Sequence, residues 1–230
     1  VVAIMAKAPR AGRVKTRLSP VLSPAAAAGL ARCLLLDTVD RVGRIEHARP
    51  ALVYTPRTAR RFFARVAPGF VLVPQRGGDL GRRLRSAFER LLGLGAGPVV
   101  VIGSDAPSVP TSVLERALEA LHDRRTDVVL GPSQDGGYYL IGLRRPSAGL
   151  FAGVAWSTPA VLAQTLARAR ARRLRVTVLR RWWDVDTPRD LARLRRWLAG
   201  RPRAELPRTR AFLASGGPRL RPRGRSRADE

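Results

Sequence analysis

Asparagine is absent from this chain, lysine occurs twice, and cysteine once. The lone Cys33 excludes an internal disulfide and a cysteine-built metal cluster, and its Ala/Leu surroundings predict a small core residue. His47 and His122 stand in isolated contexts and make no metal pair, and neither Ser104 nor Ser157 has a convincingly placed base for a Ser–His–Asp arrangement. The longest apolar runs, VVAIMA and PVVVIG, fall far short of the roughly 20 apolar residues that a membrane helix requires. No charged, apolar, small-residue leader pattern opens the sequence, so a protein of the reducing cytoplasm is expected. The missing asparagine and the abundance of Ala, Gly, Pro and Arg point to a GC-rich coding bias, under which arginine supplies 41 of the 43 basic side chains. Against that bias, Lys7 and Lys15 sit eight residues apart in one loop.

A formal net charge of +26 raises nucleic-acid binding, because clustered cations neutralise phosphates and release counterions. The distribution argues otherwise. Residues 201–230 hold nine Arg against Glu205, Asp229 and Glu230, a net of +6, in a Pro/Gly-rich stretch without apolar periodicity. That composition predicts a basic, disordered tail following a domain of residues 1–200. The remaining +20 is spread over the body, mostly on helical faces such as RARARR and RLRRW. No basic strand is interleaved with aromatics and no DNA-reading helix is recognisable, so a basic surface is expected rather than a nucleic-acid site.

Short valine-rich runs alternate with stretches of helical period. Strands are expected at Val1–Met5, Ala51–Tyr54, Phe70–Val73, Val99–Ile102, Asp127–Leu130, Tyr139–Leu143 and Val176–Leu179. Helical faces run through Ala27–Val42, Leu80–Leu91, Val113–Leu121, Val161–Ala169 and Leu191–Leu198, with a capping box at Ser112 and Glu115 and first-turn prolines at Pro159 and Pro188. Such alternation predicts an α/β layer fold with a mainly parallel, buried sheet, whose ligands gather at the carboxyl ends of the strands. The polar and glycine-bearing segments fall at those ends.

KAPRAGRVKTRL follows the first strand. Pro9 and Gly12 shape a turn surrounded by Lys7, Arg13, Lys15 and Arg17, and a loop leading into a helix offers free N–H groups to phosphate. Diphosphate binding and a solvated basic loop both fit. VVVIGSDAPSVP ends a buried strand at Asp105, suited either to Mg²⁺ held jointly with nucleotide phosphates or to a turn-capping role. GPSQDGGYYLIGL places Asp135 before Gly136 and Gly137, as a ligand-facing turn or a plain hairpin; Tyr138 and Tyr139 face opposite ways, one toward the core and one toward the site. In WWDVDTPRDL, Asp184 and Asp186 project to one side of an extended chain and could share a metal, while Asp186 or Thr187 could instead cap the last helix with Asp190 in its first turn. QRGGDLGRRL carries Asp79 at a helix start, open to a nucleotide contact or to helix-start chemistry alone.

Taken in order, KAPRAGRVKTRL, QRGGDLG, IGSDAP, GPSQDGGYYLIGL, WSTP and DVDTPRDL resemble a bacterial family of small nucleotide-diphospho-sugar transferase-like glycosyltransferases, the radical-SAM/selenodomain-associated transferase 1 group, from about Val1 to Leu198. The chain is more distantly similar to 2-phospho-lactate guanylyltransferases and molybdenum-cofactor nucleotidyltransferases. The resemblance implies a three-layer α/β/α sandwich of GT-A type with a mainly parallel mixed sheet, a nucleotide-sugar donor, a small-molecule acceptor, and Mg²⁺ or Mn²⁺. It places Lys7, Gly12, Lys15 and Arg17 in the nucleotide loop, Asp105 at the metal, Asp135, Gly136 and Gly137 on the acceptor side, and Asp184 and Asp186 in the late acidic motif. Arg13 and Asp79 join the expected nucleotide contacts, Tyr138 the acceptor contacts, and Asp135 and Lys15 the catalytic groups. The opening loop lacks the Gly-Gly and downstream Arg-Met-Gly of typical nucleotidyltransferases, and Ser104–Asp105 stands in place of a full Asp-x-Asp. Both differences leave the reaction type open, since the fold alone does not fix it; the resemblance makes glycosyl transfer the leading expectation, with nucleotidyl transfer from an NTP to a phosphorylated small molecule as the alternative.

Overall fold

A computed structural model describes residues 1–95 and 97–215. The strands are β1 (Val2–Lys7), β2 (Pro50–Thr55), β3 (Val71–Pro74), β4 (Val99–Gly103), β5 (Val128–Pro132), β6 (Tyr138–Leu143) and β7 (Val176–Val178). The helices are α1 (Pro24–Gly43), α2 (Arg60–Val66), α3 (Leu80–Leu92), α4 (Thr111–His122), α5 (Val161–Ala171), α6 (Pro188–Ala199) and α7 (Pro207–Ala214). Among the described residues, no helix is long and apolar enough to cross a membrane.

The strands form one seven-stranded sheet in the order β3-β2-β1-β4-β6-β5-β7. β1 is apolar on both sides because both sides are covered. Val2, Ile4 and Ala6 enter a core with α1, α2 and α4, whereas Val1, Ala3 and Met5 face α3 and α5. β4 divides alike, with Val100 and Ile102 on the first face and Val99 and Val101 on the second. A third cluster joins Leu18, the amino-terminal half of α1, Trp183, Val185 and the apolar stripe of α6. These layers are the α/β/α sandwich expected.

One strand runs backward. β6 lies between β4 and β5 and is antiparallel to both, while the remaining pairs are parallel. The five residues from Ser133 to Gly137 can join only antiparallel neighbours, since a parallel crossover needs a dozen residues or more. The hairpin tip therefore lies at the rim where β1 and β4 end.

Several local expectations are corrected. Ser112 lies inside α4, whose N-cap is Pro110 with no side-chain cap. The capping box forms instead between Thr187 and Asp190 at the start of α6, which frees Asp184 and Asp186 from that duty. Pro159 precedes α5 by a turn rather than opening it, and Cys33 is half-buried rather than a core residue. The disordered tail expected from residue 201 does not hold over 207–214, which form α7. The buried Asp37 carboxylate accepts the Arg208 and Thr209 N–H groups at 3.2 and 2.9 Å and so holds the first turn of α7 against α1. Leu206, Phe212 and Leu213 add apolar contacts to the third cluster. Short polar spacing hid this helix from periodicity, and residues 216–230 of the expected tail lie outside the described residues.

Candidate functional site

The rim at the ends of β1, β4 and β5 gathers three loops and one return strand of chain. After β7, Leu179 N–H donates to Leu130 O (2.8 Å), Trp182 N–H to Pro132 O (2.9 Å) and Val185 N–H to Asp105 O (2.9 Å). Those bonds lay residues 179–185 along the end of β5 and against the loop after β4. Trp183 and Val185 turn into the third core cluster, so the alternation of an extended chain leaves Asp184 and Asp186 at the rim. The late acidic motif thereby meets Asp105.

Lys15 closes the arrangement from the first loop. Its side chain is 4% exposed, and Nζ lies 2.9 Å from Asp105 Oδ1 and 3.8 Å from Asp186 Oδ1. The backbone at Lys15 is left-handed (φ 50°, ψ 35°), a conformation uncommon for a residue with a Cβ and often found at functional sites. Nζ is thus ion-paired with two carboxylates, and among the described residues no hydrogen bond of regular geometry fixes it to either. Arg17, outside, is 73% exposed and reaches Asp186 Oδ2 at 3.1 Å.

Asp135 sits at the hairpin tip. Its Oδ1 accepts from Gly137 N–H (3.0 Å) and from the Ser133 hydroxyl, so the carboxylate closes its own turn while facing the cleft. Asp-Gly-Gly forms the hairpin turn between β5 and β6, and Asp135 and Gly137 of that turn wall a hollow at the rim. Tyr139 packs in the core with its hydroxyl donating to Arg180 O (3.1 Å), and burial pushes its pKa up to about 12. Tyr138 takes the other face, as alternation predicts, meeting Trp156 edge-on at 6.4 Å between ring centroids. Its phenol is raised above the usual range by burial, so it acts as a neutral hydroxyl.

Burial first, then the neighbouring carboxylates of Asp135 and Asp105, push the Asp184 carboxyl up to about 6. An acid raised in this way favours the fold while it keeps its proton, below the ordinary 3.8, and that contribution disappears as pH rises through about 6. Near neutrality the ionised group therefore works against folding. Asp184→Asn is expected to stabilise the ligand-free protein by about 1–2 kcal/mol at about pH 7.5 and by nothing measurable near pH 4. Denaturant unfolding at both pH values checks this, and an equal gain at the two would rule out ionisation as the cause.

Two hollows open on the rim and share Leu80 and Asp186. The smaller, about 310 Å³, is walled by Lys7, Arg13, Lys15, Gln75, Arg83 and Asp105, among others. The larger, about 530 Å³, is walled by Arg17, Ser133, Asp135, Gly137, Tyr138, Trp156 and Asp184, among others. Lys7, Arg13 and Lys15 are thus together on one side, with Asp135, Gly137 and Tyr138 on the other. Gly12 shapes the first loop at φ +70°, and Gly136 supports the hairpin tip at φ +87°, each from outside the walls.

Three placements depart from expectation. Arg17 walls the larger hollow rather than the cationic one, bonded to the Asp186 that both hollows share. Asp79 walls neither hollow; Oδ1 accepts the Arg82 N–H at 2.7 Å and caps α3, which is helix-start chemistry alone. Among the described residues, no group of three or more His, Cys, Asp or Glu side chains is placed to hold a metal by itself, so Asp105, Asp184 and Asp186 are not a preassembled cage. The donors still fit one divalent cation shared with phosphate, since such an ion takes one or two carboxylates and completes its shell elsewhere. Asp184, raised first by burial and then by Asp135 and Asp105, is a donor whose ionised form a cation would favour.

Other wall residues were not legible. Gln75 directly follows β3, and its Nε2 donates to Ala6 O and Val53 O at 3.2 and 3.0 Å, tying three strand ends together. Arg83 donates to Gly77 O and Gly78 O (3.2 and 3.1 Å), which turns a helix residue back over the cationic hollow. Trp156 rests on α3 at Gly81, where a Cβ would lie 2.7 Å from the indole Cε2. The WSTP segment and the glycine of DLG were the signals, but nothing in the sequence says that they meet.

Comparison with known proteins agrees with this architecture. Phosphoenolpyruvate guanylyltransferase of Mycobacterium marinum is 30% identical over 195 residues, 81% of this chain and 84% of that one. The 2-phospho-L-lactate guanylyltransferase of Methanothermobacter thermautotrophicus is 28% identical over 186 residues, 78% of each chain. A candidate nucleotide-diphospho-sugar transferase from Desulfovibrio desulfuricans G20, solved by crystallography, superposes with a TM-score of 0.86 at 34% identity and 94% coverage of both chains. The family described as "Uncharacterized protein conserved in bacteria (DUF2064)" matches residues 38–158, more than half of the sequence. Overall fold and sequence agree, and the chain belongs to that bacterial family, built on the nucleotide-diphospho-sugar transferase scaffold.

Proposed function

We propose that this protein is a divalent-metal-dependent nucleotidyltransferase, joining a nucleoside triphosphate to a phosphorylated small molecule with release of pyrophosphate. The observation that carries this reading is the pair of adjoining hollows, one cationic and one acidic and aromatic, meeting at Asp186. Similarity to two guanylyltransferases over most of their length supports it over the sugar transfer first expected. Membership of the radical-SAM/selenodomain-associated transferase 1 group belongs to the same proposal and rests on the order of the six motifs.

In this reading Lys7, Arg13 and Lys15 hold the triphosphate in the smaller hollow. Lysine serves as a mobile point charge there and arginine as a planar two-pronged donor. An acceptor in the larger hollow presents a phosphate oxygen to the α-phosphorus; the new P–O bond forms as the bond to pyrophosphate breaks. A phosphate acceptor is already anionic and needs no base, so Asp135, held by Ser133 and Gly137, borders the non-phosphate part of the acceptor. Trp156 and Tyr138 shield that side from water. Asp105 with Asp186 or Asp184 would hold Mg²⁺ or Mn²⁺, which supplies Lewis-acid stabilisation of charge on the phosphates.

Glycosyl transfer from a nucleoside-diphosphate sugar is the second reading. It is favoured by Asp135 and Asp184 in the acceptor hollow, since carboxylates suit a hydroxyl nucleophile better than a phosphate. Product analysis separates the two. ATP, GTP, CTP and UTP, each with Mn²⁺ and with phosphoenolpyruvate or 2-phospho-L-lactate, are expected to yield acceptor-dependent pyrophosphate with at least one nucleotide. Nucleoside diphosphate released from nucleotide sugars, without pyrophosphate from any NTP, would reject the first reading and support the second.

A further inference from the structure

Asp105, Asp135, Asp184 and Asp186 come together at the rim, and Lys15 brings a buried ammonium into their midst. A charge taken out of water in this way persists only when paired. Lys15 is fixed to the place by its backbone. Its left-handed conformation is held by Leu18 N–H, which donates to Lys15 O at 2.9 Å, and Leu18 itself is wholly buried. The ammonium thus supplies positive charge where the nucleotide-transfer reading of this site requires a divalent ion.

We propose that Lys15 is the resident counter-ion of that cation site. While no nucleotide is bound, its ammonium neutralises Asp105 and Asp186 and disfavours a metal ion arriving alone. A triphosphate in the smaller hollow, which Lys15 also walls, draws the same ammonium to its phosphates, and Asp105 then becomes available to the ion. Metal and nucleotide therefore enter as a couple, each raising the affinity for the other, as linkage requires. Pairing with two carboxylates suits this exchange, because it is ionic and no directional hydrogen bond ties Nζ to either one. An arginine would serve poorly: its planar fork would lock onto the carboxylates, whereas a compact ammonium pivots between partners. This gives a chemical use to a lysine in a sequence that otherwise favours arginine.

The inference rests on the nucleotidyltransferase reading, and its test separates the two. Mn²⁺ uptake by the nucleotide-free protein is measured from the loss of the free-ion paramagnetic resonance signal. Lys15→Met is expected to bind Mn²⁺ at least about tenfold more tightly than the parent, because a unit charge a few ångströms from a divalent ion is removed from a poorly solvated site. Arg17→Gln removes an exposed, salt-screened charge from the same Asp186 and is expected to change the affinity by less than about threefold. Lys15→Gln replaces the methionine variant if circular dichroism shows that the latter does not fold. A merely structural lysine would leave Mn²⁺ affinity unchanged or lower it. No gain on removing Lys15, or an equal gain on removing Arg17, overturns the counter-ion role. The α,β-methylene analogues of the four triphosphates, offered with Mn²⁺ in a thermal-shift assay, report on the wider reading. If none stabilises the parent, that reading fails; if one does while Lys15→Met gains no Mn²⁺ affinity, only the counter-ion role fails.

Discussion

Alanine at position 136 is expected to destabilise the protein by about 4 kcal/mol and to lower its melting temperature by about 10 °C. Gly136 has φ +87°, and a Cβ there would stand 2.6 Å from Pro159 Cα and 2.7 Å from its carbonyl carbon. Those are backbone atoms, which a rotamer change cannot move aside. Gly136 O also accepts the Leu162 N–H at 2.9 Å, so any retreat from Pro159 loosens the entry to α5. Gly12→Ala is the control. Its φ is +70° but no heavy atom lies within 4 Å of the added carbon, so conformational strain acts alone, at about 1 kcal/mol. Thermal unfolding of the two variants compares close contact with φ preference. Equal losses would mean that the hairpin tip and the Pro159 turn do not touch as described.

The second large effect concerns Asp105. Asp105→Asn is expected to reduce pyrophosphate release about 10²- to 10³-fold, through loss of an anionic donor at a developing charge. The amide also leaves the Lys15 ammonium without its nearest counter-charge, at 2.9 Å in the parent. The stabilisation by nucleotide with Mn²⁺, expected for any ligand of the folded state, should disappear with it. Asp79→Asn supplies the contrast, since asparagine caps a helix about as well as aspartate and Asp79 walls neither hollow. Activity of that variant should stay within about twofold of the parent. Steady-state kinetics on both decide the matter; an Asp105→Asn enzyme as active as Asp79→Asn would remove Asp105 from the reaction.

The strands were legible as short apolar runs, clearest in β1, β4 and β5, which are covered on both faces and rich in valine or other aliphatic residues, a signal that needs no partner to be recognised. The direction of β6 was not, although the short link from Ser133 to Gly137 carried the information once Pro132 and Tyr138 were known as strand ends. Asp105, Asp184 and Asp186 could be named as candidates because acids next to strand ends have few structural duties. Which acid does what could not be read: Asp79 and Asp190 look the same in sequence, and both proved to be helix caps. α7 was missed because two carboxylate–backbone bonds to Asp37, distant in sequence, hold it.

Composition and periodicity by themselves determined the layered α/β class, the positions of the strands and the gathering of polar loops at one rim, since each follows from local burial pattern. Tertiary structure alone decided that Lys15 lies against Asp105 and Asp186, that Arg17 turns to the larger hollow, and that Trp156 closes over Gly81. Those outcomes depend on distances between segments up to 171 residues apart. Chain periodicity carries no information about such distances, because they are set by how the β5–β6 hairpin and the 179–185 segment lie across the end of the sheet.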